Sequence, residues 1–148
     1  VSDRDAESIR NWHRLDARVT TSGQPTEAQL AALQALGVRH VINLALHSHE
    51  EALADEGASL AALGIGYTHI PVVWQNPTEA DFAEFCAVYD ARREVPIHVH
   101  CIMNYRVSAF FYRYRRQVLG MSALAARPDL EKLWRPTREW ADFIGLMG

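Results

Sequence analysis

Cysteine is scarce in this chain of 148 residues: Cys86 and Cys101 are the only two. Two cysteines cannot supply the disulfide framework of a small secreted domain. With fourteen residues between them they also lack the Cys-x-x-Cys spacing of a zinc site. A reducing compartment is therefore expected, and with it a cytoplasmic location. Lysine is scarcer still, Lys132 standing alone against fourteen arginines, a skew read as compositional bias. No apolar run approaches the ~20 residues of a membrane span, and no signal-peptide pattern opens the chain. Neither charge dominates: 15 basic and 18 acidic residues give a formal net charge of -3. That balance argues against nonspecific nucleic-acid binding. No internal repeat, low-complexity tract or linker interrupts the sequence, and the start at Val1 rather than Met is read as a trimmed or processed terminus.

What is present is ordinary globular material, 49% hydrophobic and 22% charged. One domain over residues 1–148 is expected, long enough to bury about 68–70% of the unfolded chain's surface. Residues 18–25 read as a strand entering a turn, and Thr26 opens a leucine-faced helix that stops at Gly37. Residues 39–45 form a nearly continuous apolar run, the mark of a strand covered on both faces. A second helix ends near Gly64, and residues 67–73 make a strand whose end is limited by Pro71. Thr78 and Asp81 have capping spacing ahead of a helix with Phe82, Phe85, Cys86 and Tyr89 on one face. Val95, Ile97, Val99 and Cys101 alternate along a strand, and Val107, Phe110, Phe111, Tyr114 and Val118 stripe the following helix. Two short helices follow, near Leu124–Trp134 and Thr137–Met147; Arg113, Arg115 and Arg116 read as a solvated helix face.

Strands alternating with helices predict a single three-layer α/β domain, with a central, mostly parallel sheet flanked by helices. Functional loops in such a fold gather beyond the carboxyl ends of the strands. Here those are residues 46–51, 74–81 and 101–106. His47, His49, His98 and His100 lie at such ends, but no acidic or cysteine ligand completes a pattern, so no metal or other cofactor is expected.

The chemistry is concentrated in His100-Cys101-Ile102-Met103-Asn104-Tyr105-Arg106-Val107-Ser108. A tight strand-to-helix loop turns successive N–H groups toward one point at a positive helix end, forming an anion nest. Cys101 there has its thiolate favoured, and Arg106 can grip two anionic oxygens with its fork. Asn104 is one of the few non-glycine residues that tolerates left-handed backbone. Thiolate, nest and fork together describe a nucleophile aimed at a bound phosphoryl group.

These residues resemble the catalytic loop of cysteine-dependent protein tyrosine and dual-specificity phosphatases. The wider chain is similar to a bacterial, dual-specificity-like branch of that superfamily through Ser22-Gly-Gln-Pro25, Val41-Ile-Asn-Leu44, His69-Ile-Pro-Val72 and His100–Ser108. The resemblance implies a protein tyrosine phosphatase-like fold of the dual-specificity type. It implies Cys101 as the nucleophile that becomes phosphocysteine and Arg106 as the phosphate clamp. The N–H groups of Ile102, Met103, Asn104, Tyr105 and Arg106 would form the cradle, Ser108 would ease thiolate departure, and His100 would orient the loop. The implied partner is a phosphorylated protein or a small aryl phosphate.

The sequence departs from the family pattern in three ways. Arg106 follows Cys101 by five residues where the family has six, Asn104 replaces the loop glycine, and residues 66–76 hold no acid where an aspartate general acid is usual. Asp81 is the nearest candidate acid, with Glu50 or Glu51 from another loop. The short spacing also fits a rhodanese-like sulfurtransferase, and the missing acid fits a catalytically weak phosphate-binding regulatory module.

Overall fold

The computed structural model describes residues 5–146. Its centre is a five-stranded sheet of β1 (His13–Arg14), β2 (Val19–Ser22), β3 (His40–Asn43), β4 (Gly66–His69) and β5 (Ile97–His100), in spatial order β1-β2-β5-β3-β4. All neighbours run parallel except β1, which pairs antiparallel with β2. β5 lies between β2 and β3, with His98 opposite Thr20 on one side and Val41 on the other.

Helix α1 (Leu30–Ala35) carries the chain from β2 to β3, leaving the slot that β5 fills later. α2 (Glu56–Ala62) and α3 (Glu79–Asp90) make the next two crossings, and α4 (Tyr105–Gln117), α5 (Ala123–Glu131) and α6 (Arg138–Ile144) follow β5. The crevice beyond the carboxyl end of β5 is thus a topological switch point, where α/β sheets place their ligands.

Period-two alternation divides the strand residues between two cores. Ile42, Ile97 and Val99 join Phe85, Phe110, Leu130 and Trp140 on the side of α3 to α6. Val41 joins Ile9, Leu30, Leu33 and Leu60 on the side of α1 and α2. The result is the three-layer α/β sandwich expected. His98 and His100 are as buried as their apolar neighbours, because both faces of β5 are covered.

Several details differ from the sequence reading. Thr26 and Gln29 do exchange a reciprocal cap, Gln29 N–H donating to Thr26 Oγ1 at 3.3 Å, but they close only a turn and α1 begins at Leu30. β4 stops at His69, after which Ile70 and Val72 reach the carbonyls of Asn43 and Leu44 as an irregular extension. Val118 is 47% exposed at the end of α4. Arg113 is buried rather than solvated: its guanidinium pairs with Glu79 and sits over the rings of Phe82 and Phe143. The last helix ends at Ile144; Met147 lies outside the described residues.

Candidate active site

Cys101 follows the last residue of β5 and is buried among apolar neighbours in the larger core. The next three residues, Ile102, Met103 and Asn104, turn the chain into α4, whose first turn carries Arg106. Three successive loop carbonyls are held from outside the turn. Cys101 O faces His100 Nδ1 at 3.0 Å, Ile102 O accepts from Gln24 N–H at 3.0 Å, and Met103 O accepts from Asn11 Nδ2 at 2.8 Å. These three bonds fix the backbone of the loop between β5 and α4. Gly23 permits this packing, since a Cβ there would collide with the Ile102 carbonyl.

Asn104 occupies the left-handed region (φ 68°) and is fully buried. Its Nδ2 donates to Asn11 O at 2.9 Å and to Thr21 Oγ1 at 3.0 Å. The glycine usual at such a corner is thus replaced by a residue whose side chain fastens the loop.

Arg106 is 8% exposed and donates from Nη1 to the Val72 carbonyl at 2.8 Å, with its guanidinium carbon 6.0 Å from the Trp74 ring centroid. Trp74 is itself fixed, its carbonyl accepting from Trp140 Nε1 at 3.0 Å. Cys101 and Arg106 line one cavity of about 360 Å³, shared with Ile102, Met103, Tyr105, Leu46, His49, Trp74 and Gln75. Two of its lining residues are aromatic, Trp74 and Tyr105, and Trp134 backs both, stacking on Tyr105 at 4.7 Å between centroids.

No carboxylate is among the cavity's described lining residues. Asp81 forms a capping box with Thr78, accepting from the Thr78 N–H at 3.1 Å, and it does not line the cavity. Glu51 pairs with Arg10 at 2.9 Å, and Glu50 does not line the cavity either. Ser108 is also turned elsewhere. Its hydroxyl donates to Tyr105 O at 3.0 Å and accepts from Trp134 Nε1 at 3.0 Å, so its proton is committed away from Cys101. Cys86 is half-buried at the margin of the core; burial, reinforced by Asp90, pushes its thiol up to about 11, and Arg113 opposes this only in part. Among the described residues no group of three or more His, Cys, Asp or Glu side chains is arranged to hold a metal ion.

Four contributors escaped the sequence reading. Glu56 lies behind the loop on His100 at 2.6 Å, Asn11 and Gln24 hold the loop carbonyls, and His49 reaches the cavity mouth. His49 drew notice only as a possible metal ligand and Gln24 only as part of the matching Ser22–Pro25 segment, and nothing in the local sequence distinguishes Asn11 and Glu56.

The fold and the cysteine loop place the molecule in the class of cysteine-dependent, dual-specificity-like phosphatases. A family model described as a DSP-PTPase phosphatase fused to NAD+ kinase matches residues 1–138, and the chain belongs to that family. Among solved structures it is similar to a candidate phosphatase of the DUF442 group from Shewanella putrefaciens, with 32% identity, a TM-score of 0.82, and 94% of this chain and 91% of the other covered. TpbA of P. aeruginosa in complex with pTyr shares the fold at 24% identity and a TM-score of 0.67, over 88% of this chain and 76% of that one. The catalytic domain of the PP-IP phosphatase SIW14 of S. cerevisiae shares it at 13% identity and a TM-score of 0.78, over 95% and 86%. A curated relative, the beta-lactamase hydrolase-like protein of Agrobacterium fabrum, is 33% identical over 91 residues, which are 60% of this chain. The match spans only 21% of that relative's length. No described helix is long and apolar enough to cross a membrane.

Proposed function

We propose that the chain is a cysteine-dependent phosphatase that hydrolyses aryl phosphate monoesters, phosphotyrosine among them, through a phosphocysteine intermediate. The observation that carries this reading is the cavity lined by both Cys101 and Arg106, at a loop whose carbonyls are engaged by His100, Gln24 and Asn11. The Cys101 thiolate forms the S–P bond as the bond from phosphorus to the aryl oxygen breaks. The aryl oxygen leaves with the electron pair and takes its proton from solvent. Water then forms a new P–O bond and loses its proton to solvent, while the S–P pair returns to sulfur and inorganic phosphate is released. Loop N–H groups and Arg106 offset the charge on the equatorial oxygens in both steps.

The bias toward aryl esters has two supports. Without a carboxylate in the cavity, a well-placed acid's typical 10²–10⁴-fold contribution is missing, which penalises poor leaving groups most. Trp74 and Tyr105, which line the cavity, offer flat apolar surface to an aromatic ring. The relative with pTyr in its complex is consistent with this choice.

The test is hydrolysis of p-nitrophenyl phosphate and of a phosphotyrosine peptide. Activity should vanish in Cys101→Ser and fall about 10²–10³-fold in folded Arg106→Lys, which loses the two-pronged grip. Acid-quenched enzyme should carry one phosphoryl group on Cys101. Phosphate binding without turnover would replace this reading with a regulatory module, and thiocyanate formation from thiosulfate and cyanide would replace it with a sulfurtransferase.

A further inference from the structure

Directly behind the nucleophile loop lies a buried ion pair: His100 is fully buried and Glu56 is 3% exposed. The two ring nitrogens of His100 face different acceptors. Nδ1 lies 3.0 Å from the Cys101 carbonyl, which can only accept, so Nδ1 carries a proton. Nε2 lies 2.6 Å from Glu56 Oε2. Burial alone would raise the Glu56 carboxyl, but attraction to His100 and hydrogen bonds from His100 and from Gln24, at 3.1 Å, outweigh it and hold the group below its usual range. A carboxylate can only accept, so the shared proton belongs to Nε2.

Other ionisable groups surround the pair, and His47 also acts on Glu56, lowering its carboxyl further. His98, on the same strand with its ring 6.3 Å away, has Ser22 Oγ at Nε2 and Thr20 Oγ1 at Nδ1. The Ser22 proton is spent on Gly23 O, so His98 donates from Nε2, accepts at Nδ1 and is neutral. His69 on β4 is held low by burial first and by His47 in addition. His47 bonds the Tyr67 hydroxyl at 2.8 Å, Asp55 caps α2, and Arg106 lines the cavity and donates to the Val72 carbonyl.

We propose that Glu56 is a positioning residue for Cys101: it keeps His100 a doubly protonated ring that grips the Cys101 carbonyl and sets a positive charge one peptide behind the sulfur. Buried ion pairs contribute little net stability and are often replaceable by apolar residues. This one instead ties α2 to the nucleophile. It does two things at once, holding the carbonyl out of the anion nest and favouring the thiolate over the thiol.

The inference rests on Cys101 being the nucleophile proposed above, yet its tests use no phosphate ester, so either can fail without the other. In wild-type protein, ring ¹⁵N spectra should show both His100 nitrogens protonated at pH 7; one unprotonated nitrogen overturns the proposal. The rate of Cys101 alkylation by iodoacetamide, followed against pH, is the second readout. Glu56→Gln removes the counter-charge, and a buried His100 then loses its proton, so the curve should move about one unit to higher pH. His100→Asn, which can still donate to the carbonyl but carries no charge, should move it equally, and the double variant no further. An unmoved curve in folded Glu56→Gln, or additive shifts in the double variant, overturns the proposal. Should the variants fail to fold, the wild-type nitrogen spectra decide alone.

Discussion

Asn11 and Asn104, the two described non-glycine residues with positive φ, hold one another. Asn104 Nδ2 donates to the Asn11 carbonyl at 2.9 Å, and Asn11 Nδ2 donates to Met103 O at 2.8 Å. Two left-handed corners, one ahead of the first strand and one in the nucleophile loop, are thus locked together across ninety-three positions of sequence. Asparagine suits both, since it tolerates this backbone and adds a side-chain amide that glycine lacks.

That lock sets an order of stabilities. Asn104→Ala removes two buried hydrogen bonds and forces a Cβ residue with no local compensation into left-handed backbone, which together cost about 2–4 kcal/mol. Asn104→Gly loses the bonds but fits the backbone, so it should recover about 1 kcal/mol of that loss. Urea midpoints at constant m-value measure both; equal losses in the two variants would show that backbone conformation contributes nothing.

Asp81 should behave as a cap and nothing more. Asp81→Asn weakens the bond to the Thr78 N–H at 3.1 Å and the favourable charge at the start of α3. A loss of about 0.5–1 kcal/mol is expected, with turnover of p-nitrophenyl phosphate unchanged from pH 5 to 8. A rate drop in the folded variant would return Asp81 to the reaction.

His49 lines the cavity, and we propose it as a hydrogen-bond donor to the departing oxygen. The Glu51 N–H donates to its Nδ1 at 3.0 Å, which leaves Nε2 as the nitrogen that carries a proton. His49→Ala should slow hydrolysis of phenyl phosphate about tenfold, the worth of one hydrogen bond, and slow the nitrophenyl ester less. His49→Gln, which keeps a side-chain N–H, should restore most of the loss. Equal effects on the two esters would separate His49 from the leaving group.

Acid should unfold the protein in two stages. Burial first, and Arg92 in addition, lowers His40 from 6.5 to about 4, and burial holds His98 well below its ordinary value. Both are neutral in the fold, so their contribution is complete above pH 6.5 and declines as pH falls toward 4. Glu56 and Asp5, whose folded carboxyls sit low, lose theirs only below the ordinary carboxylate range. Urea midpoints should therefore already be lower at pH 5 than at pH 7.5, and His40→Gln should reduce that difference. A midpoint that stays constant down to pH 5 would contradict the burial of both rings.

Legibility followed the range of the interactions. The four parallel strands, the Thr78–Asp81 cap and the cysteine loop could be read because each is written in adjacent residues. Asn104 betrayed its corner by residue type alone. β1 could not be read, being two residues whose partners are Thr20 and Thr21. Arg113 reads as solvated until Glu79, Phe82 and Phe143 surround it from two other helices. Ser108 stands at the right distance from Cys101 in sequence, but Trp134, twenty-six residues later, takes its oxygen. Glu56 is an unremarkable helix-start acid until the sheet delivers His100 to it.

The tryptophan at the cavity rim gives the protein a reporter of its own. Trp74 lies within 6.0 Å of the Arg106 guanidinium and touches Tyr105, Trp134 and Trp140. An oxyanion that draws Arg106 toward itself changes the field on that indole. Native fluorescence can then follow ligand entry in real time, without label or coupled assay, and Trp74→Phe marks which part of the signal comes from the cavity.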